Sequence, residues 1–390
     1  MKLDLEKFIT AAADRLRREL PELKLTLDKP YRELTTLGVG GALPILAEPE
    51  NEKQLAQLLK LLRRNKIPFF ILGGGSNLVG MDDPYPGVGI RLDRKAFGTF
   101  GRDGELVRAG ARASLPELAA FSAGEGLRGL AALSCIPGSL GGAIRMNASC
   151  RGTAIGELVE EVEGVKLNGR PWRAEGKKLK WRYRQGGVPE DVVITKATLK
   201  LAPGDAEAER AALDAERAKR RASEPSGRSA GCVFRNVSQE EPAGMLIDKC
   251  GLRGAKVGGA EVSEKHANYI VNASGAASER DFLTLARLVR RTVKERFGRE
   301  LRPEVRFVRE CSARQLVEDT APVPKEARLT RVLLLVCRYM YGILSLLAGA
   351  TMLIIALRIK QEYGAGAGNL EITCAALLLA GFVIDLCRKW

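Results

Sequence analysis

Apolar residues recur at helical spacing in the first twenty positions, where Leu5, Phe8, Ile9, Ala12 and Leu16 lie among charges, so the chain is expected to open on an amphipathic helix rather than a signal peptide. Beyond Pro30 the period alternates between strand and helix. Residues 45–47 predict a strand, 52–66 an amphipathic helix and 69–72 a strand emptying into glycines. A second set follows, with a strand at 106–109, a helix at 115–125 and a strongly alternating strand at 192–201. Residues 205–222, rich in Ala, Glu and Arg, predict an exposed helix leading to a third α/β section. That section starts near Ser226 and closes with a helix over 279–297. The pattern then changes. Residues 311–328 are polar with Pro322 and Pro324, as in a linker, and 339–357 is a run of 19 residues without a charge, close to the roughly 20 that cross a bilayer. A shorter apolar run at 372–384 follows a glycine-bearing loop with Gly364, Gly366 and Gly368. Arg328, Arg331 and Arg338 precede the first run and Arg388 and Lys389 follow the second, which places both ends of a hairpin on the cytoplasmic side, although Arg358 and Lys360 in the loop weaken that asymmetry. A buried helical pair or an oligomer contact is the alternative.

Composition narrows the chemistry. The 390 residues carry a formal charge of +15, with 45% hydrophobic and 28% charged residues, within the globular range. The basic excess fits nucleic acid, an anionic membrane surface or anionic small ligands. Acidic and basic residues are interleaved and aromatics make up only 5%, so no base-stacking stripe is present and a nucleic-acid partner is not expected. A single histidine, His266, excludes poly-histidine metal sites, and no metal is expected. Eight widely spaced cysteines without a C-x-x-C motif indicate a reducing, cytosolic compartment.

Three glycine-rich segments carry the candidate cofactor chemistry. Ile71-Leu72-Gly73-Gly74-Gly75-Ser76-Asn77-Leu78 lets backbone N–H groups approach an oxyanion without obstruction by Cβ atoms. It matches neither G-x-G-x-x-G nor the P-loop pattern, which disfavours the ordinary Rossmann and P-loop folds. Ile136-Pro137-Gly138-Ser139-Leu140-Gly141-Gly142, continuing to Met146-Asn147-Ala148, sets small residues beside polar Ser139 and Asn147. Thr35-Thr36-Leu37-Gly38-Val39-Gly40-Gly41 could add further donors. Two such loops suit a long anionic cofactor.

In their order and spacing these segments resemble the UDP-N-acetylenolpyruvoylglucosamine reductases of peptidoglycan synthesis. Later segments agree: Tyr183-Arg184, Ser229-Ala-Gly-Cys232-Val-Phe-Arg-Asn236, Leu246-Ile-Asp-Lys-Cys-Gly-Leu-Arg253, Gly258-Gly-Ala-Glu-Val-Ser-Glu-Lys-His266-Ala-Asn268 and Arg302-Pro-Glu304-Val. The resemblance covers about 27–308. It implies FAD held non-covalently and NADPH as co-substrate. The enolpyruvyl ether of UDP-N-acetylglucosamine would take hydride at C3 and a proton at C2 to give UDP-N-acetylmuramate. The implied fold class is α+β: a two-subdomain FAD-binding fold of the vanillyl-alcohol-oxidase type, an α/β substrate-binding domain, and here an added C-terminal transmembrane helical hairpin. The expected division is an N-terminal helix at 1–26, the FAD domain at 27–203, the substrate domain at 204–310, a linker at 311–330 and a two-helix membrane segment at 331–390. The enzyme would face the cytoplasm, anchored to the inner membrane.

The resemblance also implies roles. Hydride addition builds negative charge at C2 and on the enolpyruvyl carboxylate, so a fixed guanidinium and a nearby proton donor are wanted. Arg184 matches the arginine and Glu304 the glutamate that works with it. Cys232 stands where the family usually has serine. A thiol, with a reference pKa near ~8.5, is a stronger acid than a hydroxyl and can donate a proton to a carbanion. The cofactor-binding positions implied are Thr36, Gly73, Gly74, Gly75, Ser76, Asn77, Pro137, Gly138, Ser139, Gly141, Gly142 and Asn147. Those implied for the UDP-sugar are Tyr183, Asn236, Arg253, His266 and Asn268, with Arg220 or Arg221 near the diphosphate, where arginine offers bidentate contact. Residues 148–157 lack the tyrosine often found in the family. Two other readings stay open: a membrane-anchored flavoprotein of the same fold with a different substrate, and a non-catalytic UDP-sugar-binding scaffold.

Overall fold

The computed structural model of the chain describes residues 2–308. The linker and the membrane hairpin expected at 311–330 and 331–390 lie outside these residues. Among the described residues no helix is long and apolar enough to cross a membrane.

Three sheets carry the architecture. The first has the order Lys24–Pro30, Ala42–Glu48, Val88–Ile90, Phe69–Ile71, with its outer pair antiparallel and the rest parallel. The parallel part follows from the crossover helix Glu52–Arg64. Asn51 caps that helix by accepting the Gln54 N–H, and its Leu55, Leu58, Leu59 and Leu62 are wholly buried against the sheet. The second sheet is antiparallel throughout, in the order Pro171–Glu175, Val159–Lys166, Val192–Lys200, Leu106–Gly110, Phe100–Asp103. Val192–Lys200 sits at its centre, buried at all but two positions, as strands covered on both faces are. The third sheet, Ser229–Cys232, Tyr269–Asn272, Ala260–Val262, Lys256–Val257, is also antiparallel and packs under helix Glu279–Phe297.

The expected helices form with small changes at their ends. Helix Glu279–Phe297 falls where the periodicity put it. A reciprocal capping box between Ser278 and Asp281 starts it, and Gly298 at φ 66° ends it. Asp205 caps Ala206–Ser223, which buries Leu213 in the same core as the first two sheets. The opening helix Lys2–Glu19 buries Ala12, Ala13 and Leu16 there too, whereas Phe8, in the apolar stripe by sequence, remains exposed. The second glycine-rich segment is not only a loop. Ser139 accepts the Gly142 N–H at 3.4 Å and opens helix Leu140–Met146, which two glycines conceal because glycine is a poor helix former.

One hydrophobic core thus runs from Ala12 to Leu213, and a second is built mainly from 230–307 together with Leu37, Val39 and Val79. Several ties hold the third sheet's section to the first. Strand Arg306–Phe307 pairs in parallel with Leu78–Val79. The Asp82 carboxylate accepts the N–H groups of Glu279 and Arg280, and the Asn272 amide donates to Leu37 and Gly38 carbonyls. The residues following the first glycine loop therefore dock directly on the second core.

Candidate active site

Two glycine loops meet face to face. A Cβ on Gly74 would lie 2.5 Å from Gly138 Cα and 2.9 Å from Ser139 N, so the approach requires glycine. Gly138 itself sits at φ 119°, a conformation L side chains rarely adopt. Three ties fix the first loop. Thr36 N–H donates to Gly75 O at 3.1 Å, Ser76 Oγ donates to Pro137 O at 2.8 Å, and Arg112 Nη1 donates to Gly73 O at 3.1 Å. Thr36 Oγ1 also donates to Ser229 O at 2.6 Å. The Gly73 and Gly75 carbonyls are thus engaged while the loop's donors are not. The backbone N–H groups of Gly73, Gly74, Gly75, Ser76, Asn77, Gly138 and Ser139 find no acceptor among the described residues. Such a run of donors, four of the seven on glycine, fits a diphosphate, and these residues could hold one.

The catalytic candidates come together from three distant segments. Cys232 ends strand Ser229–Cys232 opposite Tyr269. Residues 302–304 run beside the next stretch: Arg235 N–H donates to Arg302 O, and Glu304 N–H donates to Val233 O at 2.7 Å. Asn77 then donates its side-chain amide to the main-chain carbonyl of Glu304 at 3.2 Å, and its own carbonyl accepts the Arg306 N–H, so the first glycine loop is tied to the backbone that carries Glu304. Arg184 reaches Glu304 as an ion pair, Nε to Oε1 at 2.6 Å, with side-chain exposures of only 18% and 12%. Its guanidinium also donates from Nη1 to Ser149 Oγ at 3.1 Å and lies 5.0 Å from the Tyr183 ring centroid.

Burial governs the electrostatics of this cluster. It raises the Glu304 carboxyl above its ordinary value against the opposing pull of Arg184 and Arg235. Burial, joined by the charges of Glu304 and Glu224, pushes the Cys232 thiol up to about 12, with Arg184 and Asn268 pulling the other way. The thiol therefore keeps its proton at neutral pH. Burial works against the charged form of Arg184, but Glu304, Tyr183 and Cys232 together offset it and the guanidinium is held above its usual value.

The remaining predicted residues divide into two groups. Arg220 joins a chain beside Cys232: it ion-pairs with Glu224 at 2.9 Å, Tyr269 donates its hydroxyl to Glu224 at 2.7 Å, and the His266 ring lies 4.9 Å from that of Tyr269. His266 Nδ1 accepts the Asn268 N–H at 3.2 Å, and burial lowers the pKa of its ring. The second group is engaged within the protein. Asn268 donates to Phe234 O and accepts from Phe234 N–H, Asn236 accepts the Ala243 N–H, and Arg253 is forked onto Asp248 at 2.6 and 3.1 Å. Asn147, at φ 42° at the end of helix Leu140–Met146, donates to Arg182 O and accepts the Gly156 N–H, which fixes the turn leading into Tyr183 and Arg184. Pro137, Gly141 and Gly142 belong to the second loop's frame; a Cβ on Gly141 would lie 2.9 Å from that of Ala111. Ser149, Glu224, Tyr269 and Arg112 were not among the sequence-predicted residues. Each sits in a stretch whose local pattern is that of an ordinary surface turn, helix end or strand.

Backbone donors in two facing glycine loops, beside a buried arginine–glutamate pair with a thiol near it, fit the class of enzyme that uses a diphosphate-bearing cofactor. Residues 44–175 match the FAD binding domain family. Residues 222–308 match the UDP-N-acetylenolpyruvoylglucosamine reductase C-terminal domain. The UDP-N-acetylenolpyruvoylglucosamine reductase of Desulfosudis oleivorans is 41% identical over 294 residues, covering 72% of this chain and 93% of its own. That of Methylorubrum populi is 38% identical, covering 76% and 96%. The crystal structure of the Thermus caldophilus reductase superposes with a TM-score of 0.63 at 33% identity, over 74% of this chain and 99% of its own. The chain belongs to the UDP-N-acetylenolpyruvoylglucosamine reductase family.

Proposed function

We propose that this chain reduces UDP-N-acetylglucosamine enolpyruvate to UDP-N-acetylmuramate with Arg184, Cys232 and Glu304 as its catalytic residues. FAD, when bound, would supply a two-electron hydride carrier between NADPH and C3 of the enolpyruvyl group. The unpaired donors of 73–77 and 138–139 hold the cofactor diphosphate, with Thr36 and Ser76 bracing the loop. Arg184 binds the enolpyruvyl carboxylate, where negative charge grows as hydride adds, in surroundings of low polarity that strengthen the contact. Cys232 gives its S–H proton to C2, and the thiolate left behind recovers a proton from solvent. Glu304 keeps Arg184 charged and oriented. Tyr183 and the group of Arg220 and His266 face the nucleotide side of the substrate, while Asn236, Arg253 and Asn268 shape the walls that receive it.

The observation that carries this reading is the buried Arg184–Glu304 pair, at 2.6 Å, tied through Asn77 to the unpaired donors of the glycine loop. We also place the boundary between FAD and substrate domains at 203/204, and assign the uncharged run at 339–357 to an inner-membrane anchor on its length and apolarity. The test is an anaerobic flavin assay on the purified chain. Yellow protein should bleach with NADPH and recover its colour with UDP-N-acetylglucosamine enolpyruvate. Flavin that bleaches and never recovers would indicate a different substrate or a scaffold.

A further inference from the structure

We infer that Ser149 is a positioning residue for Arg184, fixing the plane of its guanidinium so that the Nη2 edge meets the substrate carboxylate. The inference deepens the proposed function and rests on it. A planar guanidinium held at one atom can still turn about its Cδ–Nε bond. Here the Glu304 carboxylate pairs with Nε by charge at 2.6 Å without accepting a hydrogen bond from it, and Ser149 Oγ accepts from Nη1 at 3.1 Å, the directional contact that sets the plane. Nη2 has no hydrogen-bond partner among the described residues, which leaves it as the edge open to a ligand.

The backbone makes this second contact necessary. Arg184 sits at φ 57°, in the left-handed region that a long side chain seldom occupies, so its main chain is held by the turn around it rather than by its own preference. Ser149 is held independently. It lies in the short strand Ser149–Cys150 paired with Thr153–Ala154, and the adjacent Ile155 N–H donates to Ala148 O at 2.9 Å. Arg151, two residues on, ion-pairs with Glu216 on helix Ala206–Ser223, which anchors the turn from the other side. The serine hydroxyl is thus delivered by a braced hairpin.

The experiment compares wild type, Ser149→Ala and Ser149→Thr in the two halves of the anaerobic cycle. In Ser149→Ala, recovery of flavin colour with UDP-N-acetylglucosamine enolpyruvate should slow about tenfold in its limiting rate, the scale of one lost hydrogen bond to a charged group. Bleaching by NADPH and the visible spectrum should stay as in wild type, and Ser149→Thr should restore recovery to within about twofold of wild type. The inference is overturned if Ser149→Ala recovers as fast as wild type. It is equally overturned if Ser149→Thr, with its spectrum intact, is as slow as alanine, or if both half-reactions slow together. Failure of the underlying function is separate: wild type itself would then bleach and not recover.

Discussion

The proposed cofactor cradle and the proposed catalytic cluster are joined through Asn77 and are built on opposite principles. The cradle works through backbone alone. Its seven N–H groups without an acceptor among the described residues come from two short glycine-bearing stretches, and its side chains matter mainly by being absent. The cluster works through side chains, brought from residues 149, 184, 232 and 304, and its power comes from taking charge out of water. Binding a permanent anion needs many fixed dipoles, which neither titrate nor demand a counter-ion. Stabilising a transient charge and supplying a proton need groups whose ionisation can be tuned, and tuning needs burial.

The sharpest way to break this contrast is Glu304→Gln, which keeps volume and removes charge. Arg184 would lose its buried counter-ion, and substrate-driven flavin recovery should fall about 10²–10³-fold, the range for removing a preorganised electrostatic contact. FAD affinity, set by the backbone cradle, should change little; stopped-flow absorbance and flavin titration measure the two separately. Joint loss of both would mean that cradle and cluster are not independent.

Gly74→Ala tests the other side. The added Cβ would press on the backbone of Gly138 and Ser139, with flexible side chains nowhere near to yield. Overpacking of this kind costs about 1–3 kcal/mol, so FAD should bind roughly 10- to 100-fold more weakly by fluorescence titration. Once saturated with FAD, the variant should recover its colour at nearly the wild-type rate.

The smallest effect is the absence of an inflection. The unfolded thiol titrates near ~8.5, whereas Cys232 in the fold is pushed up to about 12. Between these values the unfolded chain loses a proton that the folded chain keeps, so the thiol's contribution to stability declines as pH rises through that window. Catalysis should not decline with it. Single-turnover recovery should show no half-loss near pH 8.5, since the buried donor stays protonated; such a half-loss would mean that Cys232 is solvated like a free thiol.

The same division explains what could be foreseen. Helix Glu279–Phe297 was legible because its cap, stripe and terminal glycine are all local, and the glycine loops because bare backbone leaves its mark on the sequence as a run of glycines. Helix Leu140–Met146 was hidden because two glycines argue against a helix whose stability comes from packing on Ala111 and its neighbours. Arg184, Cys232 and Glu304 were named through family resemblance; taken alone, each had the look of a surface arginine, a core cysteine and a strand-end carboxylate.

The sequence by itself determined the alternation of strands and helices, the cradle's glycines and the family to which the chain belongs, because these rest on period, on missing Cβ atoms and on ordered motifs. Only the tertiary structure decided that Glu304 meets Arg184, that Asn77 ties the glycine loop to the main chain of Glu304, that Asn147 and Asn268 are engaged within the chain, and that Ser149 touches the guanidinium. Those contacts join residues up to 227 positions apart. No local pattern encodes such a pairing, since its energy comes from desolvation and geometry that exist only after the cores have closed.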